Sequence, residues 1–153
     1  MLFLVFQVGQ DRYALDTGTV AEVLPLIELT AIPSAPAGIA GMCNYHGAAV
    51  PVIDLNVLLI GRPAERRVNT RIVLVHYPDR TGAPRLLGLI AERATETIRR
   101  DPGDFVASGV TGRDTPYLGP VATDSRGLLQ WVNAAALLPA SVRDLLFTPA
   151  VES

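Results

Sequence analysis

At 153 residues the chain fits one domain, or two very small ones sharing a core, and folding at this size buries roughly 68–70% of the unfolded surface. A net charge of -2, with charged residues at 18% and hydrophobic ones at 49%, excludes a disordered chain and a general polyanion binder. All 13 basic residues are arginines, and apart from Arg62, Arg66, Arg67 and the pair Arg99 and Arg100 they stand singly, as scattered solubilising charge does.

In chain order, residues 2–8 read as a strand, 9–11 as its turn and 12–15 as the partner strand, together a hairpin. Thr17 is placed to cap one helical turn, because Val20, Val23 and Leu24 share a face at i, i+3 and i+4 before Pro25 ends it. Residues 28–32 return to an extended state, Pro33-Ser34-Ala35-Pro36 forms a rigid loop, and 37–40 make another single turn. Residues 41–55 read as a polar-tipped turn feeding a short apolar strand. Asn44 and Gly47 tolerate positive φ there, whereas Val50, Val52 and Ile53 are β-branched and stiff. A short helix over 55–59 precedes residues 61–67, the most linker-like composition in the chain and the expected subdomain boundary.

Strands over 71–77 and 86–90 flank a hairpin loop at 78–84. Residues 99–114, polar and glycine-containing, are expected to form an irregular, mobile excursion. Residues 117–123 and 128–132 make a final hairpin around 124–127. Two short helices follow, over 134–138 and from Ser141 as N-cap to Phe147, with Pro139 between them. Short strands separated by turn residues, with helix in the minority, predict a mostly β fold of the small sandwich or barrel kind.

The same residues are poor in catalytic groups. His46 and His76 are the only histidines, and Cys43 and His46 invite a cysteine-nucleophile reading. In an extended chain, however, i and i+3 point to opposite faces, and a cysteine beside Met42 reads as an inert small hydrophobe. Cys43, His46 and Asp54 lack a recognisable metal-ligand spacing. Gly38-Ile39-Ala40-Gly41 lacks the spacing and the Lys-Ser/Thr of a phosphate loop. Trp131 and the four tyrosines lie on separate segments, as core or rim residues do. One cysteine forms no internal disulfide, residues 2–6 lack the basic region and length of an export signal, and no run reaches the ~20 apolar residues of a membrane span. A cytoplasmic, soluble binding protein is expected.

Several segments, in order, match a known pattern. Phe3-Leu4-Val5-Phe6 with Gly9 and Tyr13-Ala14-Leu15, then Val20-Ala21-Glu22-Val23-Leu24, then Ile32-Pro33, Pro36, Gly41 and Asn44-Tyr45-His46-Gly47, resemble the CheW family of chemosensory coupling proteins. Val50-Pro51-Val52-Ile53-Asp54-Leu55 is the most specific portion. Leu87-Gly88-Leu89-Ile90-Ala91-Glu92 resembles the family's Val-Gly-x-x-Val-Asp strand, and residues 128–138 its closing strand and helix. The resemblance implies two intertwined five-stranded SH3-like β-barrels in a single domain over 1–153. The first barrel is placed at about 10–68 and the second at about 69–136, with a C-terminal helix and tail at 137–153.

It further implies a non-enzymatic adaptor, with no cofactor, linking the helical hairpin of chemoreceptors to the regulatory domain of a CheA-type histidine kinase, recruited to membrane-associated receptor arrays. The receptor hairpin would dock near Val20, Glu22, Gly41, Asn44 and His46, with Thr97 as a neighbour; no kinase-contact residue is assigned. Two departures stand out. His46 replaces the arginine of the family's Asn-Leu-Arg-Gly turn, losing a permanent charge and a bidentate fork for a carboxylate such as Glu22. Ala91-Glu92 replaces Val-Asp. Such divergence suggests an accessory coupling protein of a non-motility array, such as a surface-sensing system producing cyclic-di-GMP. If Glu22 lies beside His46, the two are expected to pair. Two other functions stay open at this point: a cysteine-dependent enzyme or redox sensor using Cys43 and His46, and a small-barrel nucleic-acid-binding protein.

Overall fold

The apolar runs at residues 3–6, 72–75 and 87–91 become strand stretches buried on both faces, the arrangement in which alternation of apolar and polar residues disappears. The computed structural model describes residues 1–108 and 115–147. The elements are β1 (Leu2–Val8), β2 (Asp11–Asp16), a 3₁₀ turn (Thr17–Thr19), β3 (Val20–Pro25), β4 (Ile39–Tyr45), β5 (Ala48–Asp54), α1 (Leu55–Ile60), β6 (Arg71–Pro78) and β7 (Pro84–Arg99). A 3₁₀ turn (Pro102–Asp104), β8 (Leu118–Asp124), β9 (Gly127–Val132), a third 3₁₀ turn (Ala134–Ala136) and α2 (Ala140–Leu146) complete them. No helix among the described residues is long and apolar enough to cross a membrane.

Strand pairing gives two five-stranded barrels that share β7. In the first, β8 pairs with β9, β9 lies parallel to β2, β2 pairs with β1, and β1 pairs with the second half of β7, Leu2 opposite Arg99 and Gln7 opposite Glu92. In the second, β3 pairs with β6, β6 with the first half of β7, β7 lies parallel to β5, and β5 pairs with β4. Between the halves sits Arg93, at φ 51, beside the register shift between Val5 and Gln7. This is a β-bulge, which bends a strand and lets β7 leave one barrel for the other. The pairing does not divide the chain at 68 and 69. Both halves of β7 belong to different barrels, and β1 and β2 join the strands that follow it.

Alternation along these strands feeds three cores. Phe3 and Val5 of β1 point into the first barrel with Ala14, Phe105, Ala122 and Leu129, while Leu4, Phe6 and Val8 point into a core between the barrels. On β6, Ile72 and Leu74 fill the second barrel with Cys43, Val50, Val52 and Ile90, while Val73, Val75 and Tyr77 join Leu87, Leu89 and Phe147 in the central core. Gly88 stands where β5, β6 and β7 meet. A Cβ there would lie 2.9 Å from Val52 Cγ2 and 3.1 Å from Ile72 Cγ2.

Several local expectations are corrected. Residues 20–25 form a strand, not a helical turn: a bulge between Val20 and Glu22 puts Val20 opposite Val75 and Val23 opposite Val73, so a bulged strand imitates i, i+3 spacing. The turn before it is capped by Asp16, which accepts from Gly18 N, and not by Thr17. The turn expected over 37–40 gives way to β4 at Ile39, and residues 28–32 contribute one bridge, Thr30 to Met42. Residues 41–45 belong to β4. The reversal falls at His46 and Gly47, with φ 51 and 86, so His46 and not Asn44 takes the left-handed conformation. Helix α1 starts as expected, capped by Asp54. Helix α2 begins at Ala140 with Pro139 at its N-cap; its carbonyl accepts from Val142 N and Arg143 N, and there is no side-chain cap bond because proline carries no side-chain acceptor. Of the 99–114 segment, β7 runs to Arg99 and Val106 bridges Val121; residues 109–114, like the tail at 148–153, lie outside the described residues.

Arg12 of β2, 7% exposed, donates to Asp124 at the end of β8 and to Gly127 O, fastening the final hairpin to the first. That bond, chiefly, holds the Asp124 carboxyl below its ordinary value of 3.8.

Two predictions follow from the packing. Gly88→Ala should cost about 1–3 kcal/mol by overpacking, lowering the thermal midpoint by about 2–4 °C for each kcal/mol; an unchanged midpoint contradicts the crowding. Asp124→Asn should cost about 3 kcal/mol by stranding a buried guanidinium. Because the folded-state pKa is depressed, the wild-type contribution is complete above the unfolded value and is lost as pH falls through the folded one. Denaturant titrations from neutral to acid pH should therefore show wild type and variant converging at low pH. A constant gap would contradict the pairing.

Candidate partner-docking surface

β3 and β4 are the two edge strands of the second barrel, each paired on one side only. Exposed strand edges are docking hazards and docking opportunities alike. Here the gap is closed by two devices. The chain beyond β3 returns to make a bridge, with Thr30 N donating to Met42 O and Met42 N to Thr30 O, each at 2.8 Å. Towards the β4–β5 turn, the Tyr45 hydroxyl donates to Glu22 Oε2 and joins the two edges side chain to side chain. That bond is the main reason the Tyr45 phenol is pushed above its ordinary value.

Five of the six residues expected to meet a partner fall around this closure. Glu22 is exposed on β3, and Val20, half-buried, begins the strand with its side chain against the central core. Asn44 is exposed at the end of β4, and its Oδ1 accepts from Gly47 N at 2.8 Å, which fixes the hairpin turn. His46 is exposed at the apex, its ring 4.3 Å from that of Tyr45 in an edge-on arrangement. Gly41 is buried. At φ 146 its missing Cβ would lie 2.6 Å from Thr30 O, so the glycine allows the Thr30 bridge to form and has no side chain to offer a ligand. Thr97, the sixth, is exposed on the half of β7 that pairs with β1, opposite Leu4 in the other barrel. Among the described residues no hydrogen bond or ion pair joins it to the other five.

The expected Glu22–His46 pairing is replaced. Tyr45 reaches Glu22 because alternate residues of β4 share a face, whereas His46 has entered the turn in a left-handed conformation. Tyr45 escaped the sequence reading, although a phenol standing where the family turn carries leucine was the signal. Glu92 escaped too: its Oε1 accepts from Asn56 Nδ2 at 2.8 Å and Glu65 N at 2.9 Å, fastening the 61–67 loop to β7.

The chemistry of a cysteine enzyme is not built here. Cys43 is 2% exposed inside the second barrel, and burial pushes its thiol up, away from the thiolate. Asp54, the third member of the weighed metal trio, is spent on Asn56 N and Ala64 N. Trp131 packs edge-on against Phe3 and Phe105, centroids 4.9 and 5.1 Å away, as a core residue and not a stacking platform. His76 is exposed on β6.

Known proteins share this arrangement. The chemotaxis protein CheW of Klebsiella aerogenes is 30% identical over 96 residues, 63% of this chain and 55% of that protein. CheW of Bacillus subtilis is 26% identical over 137 residues, 88% of this chain and 85% of its own length. The chain thus spans little more than half the length of the first curated relatives it matches. A solved structure, the scaffolding protein TtCheW from Thermoanaerobacter tengcongensis, superposes with a TM-score of 0.82 at 26% identity, covering 95% of this chain and 93% of that one. The family model of the CheW-like domain matches residues 2–142. Paired barrels with a shared strand, the ordered motifs and that match together establish that the chain belongs to the CheW-like domain family.

Proposed function

We propose that this chain is a non-enzymatic adaptor that couples the helical hairpin of chemoreceptors to the regulatory domain of a CheA-type histidine kinase. The observation that carries the reading is its likeness, across 95% of its length, to a solved scaffolding protein. The β3–β4 edge supports the placement of one partner. An exposed carboxylate, an amide and an imidazole surround a closed barrel edge that a helical hairpin can cross without opening the sheet. Each contact should bury roughly 600–1,000 Å² per partner and be modest in affinity, with the array supplying avidity. His46 and Glu92, the departures from the family pattern, support placing the adaptor in an accessory array with an output other than motility, such as cyclic-di-GMP production.

Co-purification with the cognate receptor fragment and kinase tests the adaptor reading: both should be retained, and loss of both, with kinase activity indifferent to the chain, contradicts it. Glu22→Gln, whose amide oxygen can still accept from Tyr45, and His46→Glu should weaken receptor retention by about tenfold, roughly 1.4 kcal/mol, while leaving kinase retention and the thermal midpoint near wild type. Wild-type receptor binding by both variants would move the receptor site elsewhere. Tyr45→Phe should open the edge closure without a change of charge, seen as faster amide exchange in β3 and β4; unaltered exchange would deny the closure a structural role.

A further inference from the structure

The 61–70 loop between α1 and β6, linker-like in composition, is pinned along its length. Ala64 N donates to Asp54 Oδ2 at 3.0 Å and Glu65 N to Glu92 Oε1 at 2.9 Å. Buried Thr70 donates through its hydroxyl to Glu65 O and accepts from Arg67 N at 3.2 Å, while Asn69 O accepts from Ala94 N at 3.3 Å. Arg71 reaches back to donate to Val68 O. Within this fixed loop Val68 is 91% exposed. A loop ordered in advance adds little entropic cost to association, so an apolar side chain that it holds out in water is pre-organised for contact.

A second apolar side chain stands nearby. Ile60, 40% exposed, ends α1 beside the β1–β2 turn, where a Cβ on Gly9 would lie 3.9 Å from Ile60 Cδ1 and 4.0 Å from Arg62 Nη2. Arg62, Arg67 and, at the bend of β7, Arg93 line one hollow with Gly9 and Glu65. Arg67 pairs with Glu65, whereas Arg62, Arg66 and Arg93 are exposed and have no carboxylate within ion-pair distance among the described residues. With Arg71, five arginines stand against Glu65 and Glu92, a local charge of +3; the whole chain carries -2, which leaves -5 for the remainder. Solubilising charge is interspersed with its opposite, and this gathering of one sign is the exception in the chain.

We infer that this end of the molecule is a docking surface for an acidic segment of a partner protein, one in which carboxylates flank an apolar side chain. The unpaired guanidinium groups of Arg62, Arg66 and Arg93 receive the carboxylates, and Val68 and Ile60 supply the apolar contact. Charge complementarity selects an anionic occupant, and the apolar pair selects among anions. A nucleic acid is held by aromatic stacking as well as by charge, and a membrane surface by Trp, Phe or Leu on the apolar side; residues 60–71 contain none of these. No hydrogen bond or ion pair joins the five arginines to Glu22, Asn44 or His46 among the described residues, so the surface is separate from the β3–β4 edge and does not depend on what docks there.

The test is an NMR titration of the full chain with a synthetic nonapeptide of alternating Asp and Glu around a central leucine, beside the same peptide with serine at the centre, a single-stranded oligonucleotide and phosphatidylglycerol vesicles. The leucine peptide should shift the Arg66, Val68 and Asn69 backbone amides saturably, more weakly as salt is raised, with the serine peptide about tenfold weaker. Val68→Ser should weaken the leucine peptide by about tenfold and narrow its advantage over the serine peptide. Arg62→Gln combined with Arg66→Gln should weaken both peptides by about tenfold, and both variants, altered only at exposed positions, should keep a dispersed spectrum. Equal binding of the two peptides, undiminished binding by either variant, tighter binding of the oligonucleotide or the vesicles, saturable shifts confined to another surface, or no saturable shift would each overturn the inference.

Discussion

Everything else in this molecule depends on strands whose two faces are both buried. On β1, β5, β6 and β7, successive side chains enter different cores, one inside a barrel and one between the barrels. Over the inner stretches 3–6, 50–54, 72–75 and 87–91 neither face is left to water, and neither barrel can lose its neighbour without exposing the central core. The shared strand β7 makes the same demand covalently, and the bulge at Arg93 lets one extended chain serve two curved sheets. Gly88 belongs to the same constraint, since the closeness of β5, β6 and β7 leaves no room for even a methyl group.

From that constraint the character of the docking surface follows. The interior strands are fully committed, so the places left for other macromolecules are edges and turns, and the β3–β4 edge is already closed by the Thr30 bridge and the Tyr45–Glu22 bond. A partner laid across it meets a fixed shape carrying a few polar groups. That suits an adaptor, whose contribution is the relative placement of the proteins it holds. A polar cavity beside Arg93 lies where the two barrels are joined, and most of the charged side chains that line it, Arg62, Glu65, Arg67 and Arg93, are exposed.

Much of this architecture was legible in the residues. The opening and closing hairpins, the short helix after Asp54 and the 71–77 strand were readable because turn residues and β-branched runs act locally, and the ordered motifs indicated paired barrels. What escaped reading was long-range. Nothing local in residues 84–99 marks one strand shared by two sheets, and the Val20 bulge made a strand resemble a helical turn. At the candidate surface, Glu22, Asn44 and His46 emerge together and exposed. The part of Gly41 is steric, and Thr97 belongs to the other barrel. The partner that Glu22 chose, Tyr45, became visible only when strand parity placed the phenol and not the imidazole on its side.

The central claim is that two barrels bound by one strand and one shared core behave as a single mechanical body. Native-state hydrogen exchange across increasing denaturant measures this directly. Slow amides of β1, of β6 and of both halves of β7 should converge on one opening free energy equal to that of global unfolding. A barrel whose amides open as a separate unit, at a distinctly lower free energy than the other's, would contradict it.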